Sequence, residues 1–292
     1  MSIGILYESK EWSSYALRDN IIHMGIAVKF IDAQEEINEN ELLSCDLILN
    51  RVFASAVFRG HHKSHTQMPH VIKLLQQRNI PMINPPEAHF YEISKEYSTK
   101  TLAAHGFPVP KVYGVYTPAQ MTDSEGIEYP CVVKPDCGGR TNYTFIIKSY
   151  QELTECMKNA PDIQFIAEEY IYPEYGYVTR IEVIGRACKL MLKRSVSSNG
   201  LSAYHLGSAY AAYPELPCKI KHSAISVMDL LHIEAGSMDI IENSGGFYFI
   251  DINSVSNASE DNTEMFNFDL MWETAAYAVK KYKGLKLKNG RR

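Results

Sequence analysis

Two β-rich runs, Gly236–Glu242 and Phe247–Asn253, flank Asn243-Ser244-Gly245-Gly246, a composition that folds a chain back on itself as an antiparallel hairpin. A three-residue loop at 244–246 would pair Asn243 with Phe247, and the same register sets Asp239 opposite Asp251. Directly opposed residues stand about 4.5–5.5 Å apart at Cβ, and like charges there repel unless something neutralises them. A divalent cation would do so. Asn253 lies two residues beyond Asp251, on the same face of the strand, and adds a neutral oxygen of the kind that suits Mg2+. Asp239, Asp251 and Asn253 are therefore candidate metal ligands. Pairing logic alone leaves a second reading open, in which the register differs and these are solvated polar residues.

The other residues must build walls around this hairpin, and there are enough of them. The 292 residues, 46% apolar and 22% charged, can bury a core and divide into two or three compact units. Twenty-nine Lys and Arg against 34 Asp and Glu leave a formal charge of −5, which argues against a basic face reading a phosphate backbone. No nucleic acid and no membrane is expected as partner: no apolar run approaches the roughly 20 residues of a span, and Met1-Ser2-Ile3-Gly4 enters a strand pattern rather than a signal-peptide layout. A cytoplasmic location follows as the expectation. The six cysteines are scattered without a CxxC, as free thiols in a reducing compartment would be.

The chain opens as strand, helix, strand over Ile3–Tyr7, Trp12–Met24 and Ala27–Ile31, followed by a strand at 46–50. A loop carrying Arg51, Arg59, His61, His62 and His65 comes next, then a helix over His70–Arg78 and a strand at 80–84. Such alternation predicts a small parallel sheet with helices on its faces. Pro85-Pro86 suggests a boundary, after which Tyr91–His105 reads as one helix closed by Gly106 and Phe107-Pro108-Val109-Pro110. Strands at 131–134 and 143–148 flank a glycine turn at 136–141. Ser149 and Glu152 predict a capping box for a helix to about Lys158, and a strand returns over Gln164–Ile171. A second sheet begins with Val178–Ile184 and Ala187–Arg194, joined at Gly185-Arg186. A helix over Lys219–Leu231 precedes the carboxylate hairpin, and a last one runs from about Phe268 to Lys281. The expected division is 1–87, 88–110 as a linker helix, 111–175, 176–285, and a frayed tail at 286–292.

Several other residues invite chemistry. Gly138-Gly139 permits close backbone approach, and amides in such a turn can hold an anion, although most glycine hairpins are simply turns. Lys134 ends an apolar strand, where an ammonium needs an anionic partner. Lys95 alone reads as a solvated helix residue. Arg180 and Arg194 stand on neighbouring strands and suit phosphate oxygens, with ion pairs to Glu182 or Glu242 as the competing explanation. Arg51 and Arg59 could grip a substrate carboxylate, against surface solvation as the simpler reading. Zinc at His61-His62-Lys63-Ser64-His65 is disfavoured by the lack of a further ligand at a convincing spacing and by Lys63. Cys137 reads as a turn residue rather than a nucleophile, because no His partner is identifiable. Tyr204, Tyr210 and Tyr213 could line a substrate loop, though packing explains them as well.

In order, Lys95-Glu96-Tyr97-Ser98-Thr99-Lys100-Thr101-Leu102, Gly106-Phe107-Pro108-Val109-Pro110, Tyr129–Pro135, the glycine turn, Ala167–Ile171, Arg180 with Glu182–Gly185, Arg194, Ser237–Asp239 and Ile250–Asn253 resemble the ATP-grasp superfamily, within it the RimK-like carboxylate–amine ligases. The likeness spans about residues 90–280. It implies an α/β (α+β) ATP-grasp fold with an N-terminal Rossmann-like βαβ domain, a small lid subdomain and a C-terminal antiparallel core. It further implies that Lys95 and Lys134 contact nucleotide phosphates, with Gly138 and Gly139 in the phosphate loop. Glu168, Glu169, Tyr170 and Ile171 would form a hinge against the adenine, and Asp239, Asp251 and Asn253 would occupy the metal positions. Arg194 and Arg180 would stabilise the transferring phosphoryl group. The ribose-binding acid is missing at Val178, two before Arg180, and Glu174 is the substitute candidate.

The implied activity is ATP-dependent ligation of a small-molecule or peptide carboxylate to an amine or amino acid through an acylphosphate, with ATP and Mg2+ (or Mn2+) as cofactors. A small-molecule kinase of the same superfamily and a non-catalytic ATP-binding module are the rival readings. Homo-oligomerisation is an open expectation. Two segments depart from the family pattern: Arg140-Thr141-Asn142 replaces further small residues in the glycine loop, and Ser254-Val255-Ser256-Asn257 replaces a Pro-Gly turn.

Overall fold

Alternating apolar strands and helices at the N-terminus close into a four-stranded parallel sheet in the computed structural model, which describes residues 2–203 and 206–289. Its strands are β1 (Ile3–Tyr7), β2 (Val28–Asp32), β3 (Leu47–Arg51) and β4 (Met82–Ile83), in the order β2-β1-β3-β4. Helices α1 (Trp12–His23), α2 (Glu39–Leu43) and α3 (His62–Gln77) make the connections. α3 begins eight residues before the expected helix, because a 3₁₀ turn at Ala54–Arg59 ends on Gly60 with φ 75° and hands the chain directly to it. His61, His62 and His65 therefore cap and open a helix rather than populate a loop.

The expected single helix over 91–105 is two, α4 (Pro86–Ile93) and α5 (Lys95–Ala104). Ser94 breaks it: its backbone is extended (φ −143°, ψ 110°) and its hydroxyl accepts from Tyr97 N at 3.1 Å. Pro86 is no punctuation mark but the first residue of α4, where its missing N–H costs nothing.

A second sheet orders β5 (Val112–Tyr116), β8 (Phe165–Glu169), β6 (Cys131–Pro135) and β7 (Phe145–Ile147) as β5-β8-β6-β7, with α6 (Pro118–Thr122) and α7 (Tyr150–Lys158) alongside. β5 and α6 escaped the sequence reading, although Thr117-Pro118-Ala119-Gln120 is a capping box with Pro at the first helical position. At α7 the Ser149 hydroxyl does accept from Glu152 N, but the Glu152 carboxylate reaches Lys148 N instead of the cap amide.

The third sheet is five-stranded: β11 (Tyr210–Ala212), β10 (Ala187–Ser195), β9 (Tyr177–Ile184), β12 (Ala235–Asn243) and β13 (Gly246–Asn253), in that order and antiparallel wherever strands pair. α8 (Cys218–Leu230) covers one face, burying Ile220, Ala224 and Val227 against Ile181, Val183 and Met238. α9 (Glu260–Phe266) and α10 (Leu270–Asn289) follow. α10 outlasts the expected helix: Leu285 packs on the N-terminal cluster and Lys286 pairs with Asp46, so 286–289 are helical instead of frayed, and 290–292 lie outside the described residues. Leu270, Met271, Ala275 and Ala278 share one cluster with Ile3, Ile5 and Leu17, which ties the C-terminus to the first sheet. Among the described residues no helix is long and apolar enough to cross a membrane.

Candidate functional site

The carboxylate hairpin has the expected pair for an unexpected reason. Asn243 pairs with Gly246 across a two-residue turn, a register that alone would set Asp239 opposite Ile250. A bulge between Asp239 and Ile240 on the β12 side absorbs one residue of β13, and Asp239 faces Asp251 after all. The bulge frees the Ile250 carbonyl, which accepts from Lys134 Nζ at 2.8 Å. The irregularity thus fixes a lysine from another sheet against the hairpin.

Cations from several elements neutralise the two acids. Arg194 on β10 donates to Asp239 Oδ2 at 2.6 Å, and Arg180 on β9 lies 3.3 Å from Oδ1. Glu182 Oε1 accepts from Arg180 Nε at 2.8 Å, and burial, which alone would weaken the guanidinium, is outweighed by Glu182 and Asp239, so its pKa is raised. Lys95, at the start of α5, stands 3.4 Å from Asp251 Oδ1 and donates to Gly138 O at 2.9 Å. Burial raises the Asp251 carboxyl, but Lys95 and Lys134 outweigh it and hold the group below its ordinary value. The reciprocal holds for Lys95, whose ammonium burial would weaken and whose neighbours Asp251 and Glu92 strengthen above the usual lysine range. Lys134 pairs with the buried Glu168 at 2.5 Å, and burial still leaves that carboxyl raised.

Charge neutralisation therefore does not require a metal, so repulsion between the acids is weaker grounds for one than pairing suggested. Another observation fits a hard cation. Asp251 Oδ1 is buried with only the 3.4 Å ion-pair contact to Lys95 and no well-formed hydrogen bond among the described residues, and its Oδ2 accepts only a long 3.5 Å contact from Asn253 Nδ2. Oxygen lone pairs of this kind suit Mg2+. Asp239 is different, since arginines engage both its oxygens. No group of three His, Cys, Asp or Glu among the described residues is arranged to hold a metal, so the Asn253 amide and a ligand's own oxygens are the remaining donors.

Two cavities meet at this cluster. A narrow cleft of about 140 Å³ is lined by Lys95, Lys134, Gly138, Gly139, Glu168–Ile171 and apolar Val132, Ile146, Val178 and Ile250. A wide chamber of about 620 Å³ is lined by Arg180, Glu182, Leu190, Leu192, Tyr210, Asn253, Asn262 and Thr263 among others. The glycine loop from Gly138 to Asn142, with Arg194, Ser202, Asp239 and Asp251, belongs to both. An elongated polyanion in the cleft would end between these arginine, glycine and carboxylate groups and face whatever the chamber holds.

Three candidates fall outside this arrangement. Glu174 is exposed, lines neither cavity, and accepts from Ser244 N at 2.8 Å, a bond that lowers its pKa and caps the β12–β13 turn; the ribose role has no support. Arg51 is neither solvated nor in the chamber. It is 5% exposed and bound to Ser13 Oγ at 2.9 Å and Ser256 O at 2.5 Å, and burial brings its pKa down to about 10 against the pull of Glu11, Glu8 and Glu182. Arg59 pairs with Glu8, a fully buried carboxylate that also bonds His61 Nδ1 at 2.5 Å. Sequence reasoning missed Glu8, and its isolated position after β1 carried no local signal.

Of the tyrosines, Tyr210 lines the chamber, Tyr213 is buried in the core cluster, and Tyr204 lies outside the described residues. Burial pushes the Cys137 thiol up to about 11, against thiolate chemistry at neutral pH.

Fold and site together define an ATP-grasp protein. The profile of the RimK-like ATP-grasp domain matches residues 93–275, and the chain belongs to that family. It is 27% identical over 191 residues to human N-acetylaspartylglutamate synthase A, an alignment covering 63% of this chain and 49% of that protein. With the alpha-aminoadipate–LysW ligase LysX of Saccharolobus solfataricus it shares 26% identity over 238 residues, 77% of this chain and 85% of the relative. The synthases include relatives of which the chain spans about half the length. A RimK domain ATP-grasp protein from Sphaerobacter thermophilus superposes with a TM-score of 0.70 at 14% identity, covering 96% of this chain and 100% of the other, which shows the shared fold.

Proposed function

We propose that the protein is an ATP-dependent carboxylate–amine ligase, with an N-terminal unit at 1–87 preceding an ATP-grasp unit at 88–285. The observation that carries this reading is the junction of a narrow cleft with a wide chamber at Arg194, Asp239 and Asp251. ATP would lie in the cleft with its adenine against Glu168–Ile171, its phosphates along Lys134, Lys95 and the Gly138-Gly139 backbone, and its terminal phosphate at the junction. The named relatives, an N-acetylaspartylglutamate synthase and an alpha-aminoadipate–LysW ligase, support the chemical class.

A carboxylate oxygen of the chamber substrate attacks the γ-phosphorus, the bond to the bridging oxygen breaks, and ADP leaves. An amine nitrogen then attacks the acyl carbon, loses its proton, and displaces inorganic phosphate. Arg194 and Arg180 stabilise charge spread over the transferring phosphoryl group, and Lys95 and Lys134 keep the nucleotide in line. Asp251 and Asn253, with Asp239 shared between the metal and its arginines, would hold Mg2+, which would supply further neutralisation of phosphate charge. The carboxylate and amine are small molecules or peptide ends that fit the chamber.

The test is a panel of carboxylates, with and without amines, assayed for ADP and phosphate release. The expected result is phosphate release that requires one acid and one amine, abolished in Asp251→Ala while the fold is retained. A stable phosphoester without free phosphate would instead identify a kinase, and undiminished turnover in Asp251→Ala would remove that residue from the site.

A further inference from the structure

The two segments that depart from the family pattern, far apart in sequence, meet on one carboxylate. Arg140 of the glycine loop pairs with Glu11 Oε1, while Asn257, after the metal-site strand, donates from Nδ2 to Glu11 Oε2 at 2.7 Å. Glu11 stands just before α1, and its carboxylate makes no capping bond to that helix. Its acceptors are turned outward, to the other two segments.

From Asn257 the connection runs inward without a gap. Ser13 Oγ donates to Asn257 Oδ1 at 2.5 Å and accepts from Arg51 NH2 at 2.9 Å. Arg51 NH1 donates to Ser256 O at 2.5 Å, and the Ser256 hydroxyl donates to Glu182 Oε2 at 2.5 Å. Glu182 holds Arg180, which reaches Asp239. A continuous polar path thus joins the glycine loop to the junction of the two cavities, and it explains why Arg51 is buried.

The loop needs outside support. Arg140, Thr141 and Tyr143 all have left-handed backbone, with φ of 59°, 53° and 50°, a conformation that side chains other than glycine adopt at a cost unless their surroundings hold it. The support comes from the N-terminal elements: beside the Glu11 contact, the Phe58 ring packs so closely on Gly138 that an added Cβ would lie 2.5 Å from it.

We propose that Glu11 is a positioning residue that clasps the Arg140 glycine loop to the Asn257 segment and so holds the loop over the nucleotide phosphates. The contact itself stands on the geometry; its consequence for nucleotide rests on the function proposed above. Glu11 lines neither cavity and acts through the loop; Arg140 borders both, so Glu11→Gln is the variant that reads positioning alone.

Hydrogen exchange of the amides of residues 138–144 tests the clasp in the full chain without any ligand. Glu11→Gln and Arg140→Gln should each speed exchange in that segment roughly two- to fivefold, the range of a part-exposed ion pair, while amides of α1 stay unchanged. Dissociation of mant-ADP in the presence of Mg2+ should quicken by a similar factor in each variant, and the double variant should be no faster than either single one. Unchanged loop exchange in both variants overturns the clasp, as do effects that multiply in the double variant. Failure of the wild type to bind mant-ADP would count against the ligase reading alone, because loop exchange still decides the clasp.

Discussion

The cleft and the chamber share a border of nine residues but differ in how they hold polar groups. In the cleft both lysines are committed: Lys134 to Glu168 and the Ile250 carbonyl, Lys95 to Gly138 and Asp251. Apolar Val132, Ile146, Val178 and Ile250 line it together with Asn142, Thr144 and Ser202. The chamber is about four times as large, mixes Leu190, Leu192 and Phe268 with neutral amides and hydroxyls, and includes Asn262, whose Oδ1 is buried with no partner among the described residues. The under-bonded atoms Asp251 Oδ1 and Arg194 Nε belong to the shared border, whereas Asn262 Oδ1 belongs to the chamber alone. A family can keep the cleft constant while its members alter the chamber.

The comparison breaks most visibly at Lys134. Replacing it by Met leaves Glu168 buried beside an alkyl chain, so unfolding in urea should show a loss of about 3 kcal/mol, softened by protonation of the carboxyl. ATP affinity should fall at least about 100-fold, as expected for removing a buried charge from the proposed phosphate contact, with the KM of the chamber substrate changed less than about twofold. Equal damage to both constants would mean that the cavities are one site. Asn262→Ala sharpens the same contrast from the other side: the KM of the acid or amine should rise about fivefold to tenfold for one lost hydrogen bond, and nucleotide affinity should not move.

The smallest effect is in acid. Asp251 has a folded pKa below its ordinary value of 3.8, so its charge interactions stabilise the protein above that pH and are lost as pH falls through it toward the folded value. Thermal unfolding from pH 6 to pH 3 should therefore show wild type ahead of Asp251→Asn at the upper end, with the gap closing below about pH 4. A gap that stays constant would show that Asp251 carries no such linkage.

Local signals told the sequence reading where most strands lie, and the ordered motifs located the cleft, because glycine turns, apolar runs and carboxylates two residues apart are properties of short segments. Long-range pairing was less legible. The Asp239–Asp251 pair was reached through a three-residue turn that does not exist, and a bulge restored the register. Arg51 and Arg59 looked like solvent or substrate residues because their partners are remote: Ser256 stands across from Arg51, and Glu8 from Arg59, on other elements. Ser94 and Thr117 were readable caps that simply went unread, so α4, α5 and α6 were merged or missed. The other wall residues of the chamber, such as Leu190, Leu192, Asn262 and Thr263, come from separate elements and have no sequence signature.

A crystal structure of the full chain with Mg2+ and a non-hydrolysable ATP analogue addresses the two-cavity account most directly. The adenine should lie against Glu168–Ile171 in the cleft, and the terminal phosphate should sit beside Arg194 and Asp251, facing the chamber. An analogue bound in the chamber, or phosphates directed away from the carboxylate pair, would contradict it.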